Sequence, residues 1–447
     1  MERRFLLRTF GCQMNEHDSE RIAGLLSADG FVPTEEASDA QVVIFNTCAI
    51  REKADDRLYG NLGHLRPLKV ANPALRIVVA GCLAQKDQGE IQRRAPWVDV
   101  VIGTHALPGL LDLLRLAETD GPQMDVREVT EVFPSALPAR REVAHHAWVS
   151  IAVGCDNACT FCIVPLVRGP QRSRALGDVL AEVQGLARRG VVEVTLLGQN
   201  VNTFGRDLTV PGGSRRPLFA DLLRAVNGVE GIRRIRFTSP HPHDFTPDVI
   251  DAMAESDKVC EHIHFPLQSG SDRVLKAMRR SYRSARYLGW LERIRESIPE
   301  VAVTTDIIVG FPGETEKDFG ATLDVVERAR FDQAYTFQYS PRPGTPAATM
   351  PDQIPKDVVQ ERFDRLVALQ ERIALEKMGA MRGRTVEVLI EGTGRKGGVQ
   401  GRTRTNKVVH VPGEIPAGTF LHAGIVSAHP HHLVGEPVGA QELAPVG

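Results

Sequence analysis

A CxxxCxxC motif near the middle of the chain reads Gly154-Cys155-Asp156-Asn157-Ala158-Cys159-Thr160-Phe161-Cys162. A strand-like run, residues 148–154, leads directly into it. Three closely spaced thiolates can bind three irons of a 4Fe–4S cluster, which leaves the fourth iron without a protein ligand. A small molecule can then bind that iron and accept an electron. A structural zinc site is the alternative, although zinc sites more often show four ligands in two pairs.

Strand-like and helical segments alternate after this motif. The strand-like runs lie at residues 148–154, 193–199, 234–238, 262–267, 303–309 and 334–339, and helical patterns such as 176–189, 286–297 and 318–330 lie between them. Six such units do not complete an eight-stranded barrel, so we expect an open, partial (βα)6 barrel of the TIM type. Its ligands would gather at the carboxyl ends of the strands. A long helical pattern, 356–378, follows.

Three further cysteines each follow an apolar run in the first hundred residues. Cys12, Cys48 and Cys82 come after residues 5–10, 41–47 and 76–81, and helical patterns such as 19–28 and 54–65 lie between these runs. Alternating strands and helices predict a parallel α/β sheet, in which ligands gather beyond the carboxyl ends of the strands. The three thiols would then share one edge and could hold a second cluster. The alternative is three unrelated buried cysteines.

The last seventy or so residues change character. Residues 385–390, 399–411 and 419–429 alternate in the manner of strands between Gly-rich turns, which predicts a small β-barrel. Seven basic and two acidic residues lie between Arg382 and Lys407. Such a patch can neutralise nucleic-acid phosphates, although an ordinary solvated charged face is the alternative. The residues that we predict to contact nucleic acid are Arg395, Lys396, Arg402, Arg404 and Lys407.

A Pro- and charge-rich segment, residues 119–141, is interpreted as a linker. We therefore predict three domains in an α/β multidomain chain. They are an N-terminal α/β domain (1–118), a central barrel (141–377) and a C-terminal β-barrel (380–442).

Composition excludes several classes of protein. The 447 residues carry a net charge of −2, so the whole molecule is not a general polycation. No apolar run approaches the length of a membrane span, and the N-terminus does not resemble a secretory signal. We expect the protein to lie in the reducing cytoplasm, where disulfides are rare. The odd count of seven cysteines also argues against a full set of disulfides. The seventh, Cys260, is interpreted as a small buried hydrophobic residue.

The CxxxCxxC motif resembles that of the radical S-adenosylmethionine (SAM) superfamily, and nearly the whole chain resembles its methylthiotransferase family. Residues 11–15, 46–48 and 81–85 are similar to the three N-terminal ligand motifs of that family. Residues 155–165 with Arg168-Gly169 are similar to its radical SAM core, and the C-terminal barrel resembles a TRAM domain, which is associated with RNA binding. The resemblance implies SAM and two 4Fe–4S clusters, one on Cys155, Cys159 and Cys162 and an auxiliary one on Cys12, Cys48 and Cys82.

The resemblance also implies a reaction and its partners. Members attach a methylthio group to an unactivated carbon; the auxiliary cluster handles the sulfur. Two SAM molecules are implied, one donating methyl and one yielding a 5′-deoxyadenosyl radical. An electron donor of the flavodoxin or ferredoxin type and a sulfur source are implied as partners. We expect a functional monomer.

Three stretches indicate a particular branch of the family. Residues 11–20, 335–347 and 401–407 resemble the branch that modifies carbon 2 of N6-isopentenyladenosine beside the anticodon of tRNA, at position 37. Two alternatives stay open. One is the branch that acts on threonylcarbamoyl-adenosine in tRNA, and the other is a non-catalytic iron–sulfur protein that binds RNA or senses redox state.

The resemblance further suggests residues around SAM, near the carboxyl ends of the barrel strands. They are Gln199, Ser239, Gln268, Ser269, Asp306 and Gly310. Each polar side chain among them could equally cap a helix or satisfy a buried carbonyl. The chain also departs from the family pattern at Gln171, where members often carry Glu, and at Asp156, where they often carry Asn. The first departure puts one local contact to SAM or substrate in doubt.

Overall fold

The computed structural model describes residues 2–49, 54–127, 133–141, 143–209, 215–394 and 397–443. The chain divides into two compact units, each assembled from several stretches. The first unit comprises Met1–Glu142, Trp148–Ala158 and Cys162–Arg174. The second unit comprises Val143–Ala147, Cys159–Phe161 and Ala175–Gly447.

A six-stranded sheet forms the centre of the first unit. Its strands are β1 (Arg3–Phe10), β2 (Phe31–Pro33), β3 (Val42–Thr47), β4 (Arg76–Gly81), β5 (Val100–Ile102) and β6 (Gln123–Asp125). Their order is β2-β1-β3-β4-β5-β6, and every pair is parallel. All residues of β3 are buried, as expected for a parallel sheet with both faces covered. The predicted parallel α/β fold is confirmed.

In the described residues, five helices accompany this sheet. They are α1 (Gln13–Ala28), α2 (Ala54–Ala71), α3 (Cys82–Asp87), α4 (Gly89–Arg94) and α5 (Leu110–Thr119). The first helix begins directly after Cys12, six residues before the predicted start. Asn15, His17 and Asp18 in its first turns are polar yet buried, so the apolar pattern of the sequence marks only the later turns.

The interpretation of residues 119–141 as a linker is wrong for its first part. Strand β6 lies inside that segment and pairs with β5, with Gln123 opposite Val100. A three-residue edge strand joins the sheet through backbone hydrogen bonds and needs no apolar run, so the sequence carries no signal for it. Residues 128–132 lie outside the described part of the chain.

The CxxxCxxC motif lies on a loop between two short strands. β7 (His146–Ser150) is followed by β8 (Ala152–Val153), which pairs antiparallel with β9 (Arg172–Ser173). The single predicted strand 148–154 is therefore interrupted at Ile151. Between β8 and β9 the chain passes through the three cysteines and then forms the short helix α6 (Val164–Arg168).

The second unit contains the remaining barrel strands. They are β10 (Glu193–Leu197), β11 (Arg234–Phe237), β12 (His262–His264), β13 (Ala302–Val309) and β14 (Gln333–Gln338). β7, β10 and β11 form one sheet, and β12, β13 and β14 form another. A parallel bridge from Ile235 to Val259 links β11 to the residues just before β12. The strand positions agree with the prediction of a partial barrel.

Seven helices of the described part of this unit follow or connect these strands. They are α7 (Leu176–Ala187), α8 (Phe219–Asn227), α9 (Pro247–Glu255), α10 (Asp272–Ala277), α11 (Ser284–Ser297), α12 (Glu316–Ala329) and α13 (Lys356–Gly379). Helix α12 begins two residues before the predicted start at Asp318. A capping box between Thr315 and Asp318 satisfies its first backbone N–H groups and fixes that start.

The C-terminal residues form a closed five-stranded barrel. Its strands are β15 (Thr385–Thr393), β16 (Val399–Thr403), β17 (Val408–Val411), β18 (Thr419–Ala428) and β19 (Leu433–Leu443), in the order β15-β16-β17-β19-β18. The predicted strand 399–411 is instead a hairpin, whose turn contains Asn406 with φ of 62°. Among the described residues, no helix combines the length and apolar character that a membrane crossing requires.

Candidate active site

Three neighbouring strands of the first unit each end at a cysteine. Cys12, Cys48 and Cys82 follow β1, β3 and β4, which lie side by side in the sheet. The register pairs Phe10 with Thr47 and Thr47 with Gly81, so the three strands stop at the same level. Cys48 and Cys82 are each only 1% exposed. The fold therefore places the three cysteines at one edge of the sheet, as predicted.

Buried asparagines hold the loops at this edge. Asn15 Nδ2 donates to Asn46 Oδ1 at 3.1 Å and to the Thr47 carbonyl at 3.2 Å. Asn46 Nδ2 returns a hydrogen bond to the Asn15 carbonyl at 2.8 Å. Gly81, just before Cys82, has φ of 91°, and a Cβ there would lie 2.7 Å from the Thr47 carbonyl oxygen. The backbone around the cysteines is thus fixed by contacts between loops that are distant in sequence.

The thiols at this edge differ in their electrostatics. A hydrogen bond with Cys48, helped by the charge of Arg168, lowers the pKa of Cys12 to about 5 despite burial. Burial raises the pKa of Cys82, and Arg168 acts against that rise. A low thiol pKa favours the thiolate, which is the form that binds iron. Of these two thiols, Cys12 therefore deprotonates more readily than Cys82.

The CxxxCxxC loop is fixed at its start within the first unit. The Cys155 amide donates to the Gly169 carbonyl at 3.1 Å. Gly154 has φ of 74°, and a Cβ there would meet the Pro170 carbonyl and lie 2.6 Å from that of Gly169. Asp156 Oδ1 accepts from the Gln171 amide at 2.9 Å. An asparagine could make the same contact, which explains why the departure at Asp156 is compatible with this loop.

The middle of the motif is fixed within the second unit. The Thr160 amide donates to the Met278 carbonyl at 3.1 Å, and the Thr160 carbonyl accepts from the Ala347 amide at 2.9 Å. Arg280 is buried, and its Nη1 donates to Cys159 Sγ at 3.7 Å. The sequence patterns did not reveal Arg280, because nothing local distinguishes it from the arginine beside it.

The residues predicted to surround SAM lie at the carboxyl ends of barrel strands. Gln199 follows β10, Ser239 follows β11, Gln268 and Ser269 follow β12, and Asp306 and Gly310 belong to β13 and its end. Gln268 bridges to β13 through its backbone, because its amide donates to the Asp306 carbonyl at 2.8 Å. Ser239 and Gln268 both have positive φ, of 56° and 67°. The structure thus brings the set to one end of the barrel.

Two members of this set are engaged in the fold itself. Ser269 is fully buried, and its Oγ lies 3.3 Å from Thr322 Oγ1 of α12. The Gly310 amide donates to Glu314 Oε1 at 3.1 Å. These contacts favour a structural role for the Ser269 side chain and the Gly310 amide.

Unpaired polar atoms lie near the same strand ends. Asn200 Oδ1, His241 Nε2 and Gln268 Oε1 are buried without a hydrogen-bond partner in the described part of the chain. Buried polar atoms normally have a partner, so these three are suited to a ligand. Asn200 and His241 were absent from the predicted set, although they follow its members Gln199 and Ser239 by one and two residues.

Three of the predicted RNA-binding residues make ion pairs inside the second unit. Arg402 pairs with Glu391 at 2.9 Å, Arg404 with Glu261 at 2.7 Å and Lys407 with Asp332 at 2.8 Å. Lys407 is only 8% exposed. Arg395 and Lys396 lie outside the described residues.

The turn between β16 and β17 contacts the amino-terminal ends of the barrel strands. Arg234, the first residue of β11, donates to the Arg402 carbonyl at 2.8 Å and pairs with Glu387. Arg236 donates to the Thr403 carbonyl at 2.8 Å and pairs with Glu193, the first residue of β10. The partners of Arg404 and Lys407 immediately precede β12 and β14. The turn therefore binds at the barrel end opposite the predicted SAM site.

Three family profiles match successive parts of the chain. Residues 4–103 match the Uncharacterized protein family UPF0004, residues 149–326 the Radical SAM superfamily, and residues 379–438 the TRAM domain. With the partial barrel and the CxxxCxxC loop, the central match defines a radical SAM protein.

Relatives of high sequence identity indicate the family within the radical SAM superfamily. A tRNA-2-methylthio-N(6)-dimethylallyladenosine synthase of Mycobacteroides abscessus is 56% identical, over 97% of this chain and 88% of its own length. One from Acidothermus cellulolyticus is 58% identical, over 98% and 88%. The chain belongs to the family of tRNA-2-methylthio-N(6)-dimethylallyladenosine synthases.

Solved structures share the fold at low identity. The radical S-adenosylmethionine methyltransferase TsrM from Kitasatospora setae superposes with a TM-score of 0.55 at 14% identity, over 77% of this chain and 75% of its own. The cobalamin-dependent S-adenosylmethionine radical enzyme OxsB gives 0.51 at 13% identity, over 84% and 56%. These likenesses concern the fold alone.

The radical SAM superfamily implies one 4Fe–4S cluster and SAM, and the residues present are suited to both. The three thiols of the loop satisfy the ligand chemistry of such a cluster. The unpaired polar atoms at the carboxyl ends of the strands are suited to a polar ligand. Within the described residues, no group of three or more His, Cys, Asp or Glu side chains surrounds a single metal ion. Ligands of a cluster bind different irons, so they need not converge on one point.

Proposed function

We propose that the chain transfers a methylthio group to carbon 2 of N6-isopentenyladenosine at position 37 of tRNA. The observation that carries the proposal is the second cysteine set at the edge of the parallel sheet. A radical SAM barrel alone supports hydrogen abstraction, whereas three more convergent thiols supply a place for sulfur. The names of relatives that are 56% identical over nearly the whole chain support the same reaction and substrate.

The proposal assigns two sets of cluster ligands. Cys155, Cys159 and Cys162 would hold the cluster that binds SAM. Cys12, Cys48 and Cys82 would hold the auxiliary cluster. The first cluster would supply the electron for reductive cleavage of SAM, and the auxiliary cluster would supply the site from which sulfur is transferred. Gly154 and Gly81 allow the backbone turns that present the first thiol of one set and the last of the other.

The chain's own residues bind and orient the reactants. We assign Gln199, Ser239, Gln268, Ser269, Asp306 and Gly310 to the surroundings of SAM, on the strength of their place at the carboxyl ends of the strands. Of these, Gln268 is the best supported, because its buried Oε1 has no partner in the described residues. The target base must leave its stack to reach a site inside a barrel. Asn200 and His241 add polar atoms at the same end.

The C-terminal barrel would bind the tRNA. The predicted phosphate contacts are Arg395, Lys396, Arg402, Arg404 and Lys407. The ion pairs of Arg404 and Lys407 support a role in docking this barrel onto the central one. Arg395, Lys396 and Arg402 are then the residues of the set that we propose to contact phosphate directly.

The proposal extends to partners and organisation. It includes a flavodoxin- or ferredoxin-like electron donor, a separate sulfur source, a functional monomer and a cytoplasmic location, where tRNA is modified. It retains three domains, predicted at 1–118, 141–377 and 380–442, with the first extended to residue 125 so that it includes β6. The family profiles at 4–103, 149–326 and 379–438 support a division into three parts.

The decisive experiment is mass spectrometry of tRNA nucleosides from cells with and without this protein. We expect the methylthio-isopentenyl nucleoside to disappear and its unmethylthiolated precursor to accumulate when the gene is deleted. Re-expression of the wild type should restore it, and a Cys155→Ala variant should not. An unchanged nucleoside, or loss of the methylthiolated threonylcarbamoyl nucleoside instead, would refute the substrate assignment.

A further inference from the structure

A buried arginine contacts one of the three strand-end cysteines. Arg168 is the last residue of α6, and its Nε donates to Cys82 Sγ at 3.2 Å. The arginine is 4% exposed and the cysteine 1%. The guanidinium is therefore shielded from water, and its positive charge lies within hydrogen-bond distance of the Cys82 sulfur.

Asp18 of α1 holds the same guanidinium from another side. Arg168 Nη2 donates to Asp18 Oδ2 at 2.8 Å, and both side chains are buried. A buried ion pair is weak evidence for a role in stability, because desolvation offsets the attraction. The arginine fork offers several N–H donors in a fixed plane, so it can serve a carboxylate and a sulfur together.

Apolar packing sets the position of Arg168. Ile163 and Val167 pack with Ala49 and Cys82 in a small buried cluster. Helix α6 begins two residues after Cys162, so the same short segment follows the CxxxCxxC loop and reaches the strand-end cysteines. The packing of α6 therefore places Arg168 beside Cys82.

We propose that Arg168 is a positioning residue of the auxiliary cluster, which holds the Cys82 thiolate and, together with Asp18, sets the charge around that cluster. The inference rests on the proposed auxiliary cluster. Hydrogen bonds to cluster sulfurs, net charge and solvent exposure set the reduction potentials of iron–sulfur clusters. A cation beside Cys82 favours the reduced cluster, which carries one more negative charge, and the carboxylate of Asp18 opposes that effect.

The test measures the potential of the auxiliary cluster alone. The full-length chain with Cys155, Cys159 and Cys162 replaced by Ala would be reconstituted anaerobically, and about four irons are expected per chain. Reductive titration followed by electron paramagnetic resonance then gives a midpoint potential. We expect Arg168→Gln to move it to a more negative value and Asp18→Asn to a less negative one. Arg168→Lys keeps the charge but loses the fork, so its shift should also be to a more negative value but smaller than that of Arg168→Gln.

The matched control is Arg76→Gln. Arg76 is a half-buried arginine at the opposite end of β4, where it faces Asp99 at 3.6 Å. Its loss disturbs an ion pair of the same sheet without touching a cysteine, so the potential should stay at the parental value. Should Arg168→Gln fail to bind iron, Arg168→Lys and Asp18→Asn decide the matter by the signs of their shifts.

Two outcomes would overturn the role of Arg168. One is potentials for the Arg168 and Asp18 variants within the range of the Arg76→Gln control. The other is shifts of the same sign for Arg168→Gln and Asp18→Asn, which would indicate a general disturbance of the fold. Failure of the auxiliary cluster itself is separately visible, because a further Cys82→Ala change would then leave the iron content unaltered.

Discussion

At the scale of single residues, a glycine decides whether Cys82 can join the other two cysteines. Gly81 has φ of 91° and ψ of −160°, a backbone conformation that residues with a side chain rarely adopt. The space beside it is filled by the Thr47 carbonyl and the Asn46 side chain. A side chain at this position must therefore displace the loop that carries Cys48.

We predict that Gly81→Ala lowers the free energy of unfolding by at least about 2 kcal/mol, since backbone strain and a steric clash add. The auxiliary iron should be lost with it. Urea unfolding and iron analysis of the reconstituted protein measure both effects. Gly60→Ala is the control, because that glycine lies in α2 with open space around it and should not destabilise the chain. Equal unfolding midpoints for the two variants would contradict the prediction.

Single residues also mark the limit of sequence reasoning. The places of the six cysteines, three at strand ends and three on one loop, could be predicted because each follows a strand pattern or belongs to a dense motif. The contact of Arg168 with Cys82 joins residues 86 positions apart, and that of Arg280 with Cys159 joins residues 121 apart. Neither leaves a local pattern in composition or periodicity. Such partners emerge only when the strands and helices are placed in space.

At the scale of elements, the β16–β17 turn of the C-terminal barrel docks onto the amino-terminal end of the central barrel. Lys407 is the most buried charged side chain of this turn, and Asp332 holds it together with Lys377. The pKa of Asp332 lies below its usual value, because both lysines outweigh the effect of burial. The turn is thus joined to the barrel by charges that are partly removed from water.

We predict that Lys407→Ala lowers the free energy of unfolding by about 3 kcal/mol, since it leaves the buried Asp332 with only one lysine. Arg216→Ala breaks an exposed ion pair with Asp221 and should cost less than about 1 kcal/mol. Denaturant titration of the two variants beside the wild type checks the difference. A Lys407→Ala protein as stable as Arg216→Ala would show that the contact contributes little.

Variants at Arg402 and Lys407, beside and in this turn, can distinguish a role in docking from a role in RNA binding. Arg402→Ala should reduce the slope of log affinity for tRNA against log salt concentration by about one, because a phosphate contact releases counterions. Lys407→Ala should leave that slope unchanged while it lowers stability. Filter-binding or fluorescence titrations at several salt concentrations give the slopes. A reduced slope for Lys407→Ala would return that lysine to the set of phosphate contacts.

Sequence patterns located most elements and missed those that lack an apolar signature. Strands β3, β4, β13 and the long helix α13 agree closely with their predicted bounds, because buried faces impose a hydrophobic period. β6 has polar residues at a sheet edge, and β19 follows a histidine-rich turn without a clear alternation. The predicted start of α1 lies six residues after the observed one, because the first turns of the helix bury polar groups instead of apolar ones.

At the scale of the whole molecule, buried histidines make folding sensitive to mild acid. Burial lowers the pKa of five of them, namely His105, His145, His146, His241 and His262. His146 is lowered to about 4. Each therefore takes up a proton less readily in the folded chain than in the unfolded chain, where histidine has a pKa of about 6.5.

We predict that the free energy of unfolding falls as pH drops from 7.5 to 5.5. The sign follows because a lowered folded pKa gives stability that is complete above the unfolded pKa and is lost as pH falls towards the folded one. Paired carboxylates such as Asp18 act only in a more acidic range, since their pKa values are lowered from an already low value. Urea midpoints at three pH values, with iron content checked at each, measure the effect. A His146→Gln variant should show a weaker dependence, and a constant wild-type midpoint would contradict the prediction.

The interleaving of the two units along the chain has a consequence for how the protein is made. The sheet of the first unit is complete at Asp125, yet Arg168, which contacts Cys82, leaves the ribosome only after part of the second unit has been synthesised. A nascent first unit therefore exposes the strand-end cysteines before their arginine arrives. A gene fragment that ends at residue 141 contains all six strands of this sheet but lacks Arg168, and one that ends at residue 118 also lacks β6. The auxiliary site that we propose therefore lacks Arg168 until the ribosome has released the chain beyond that residue.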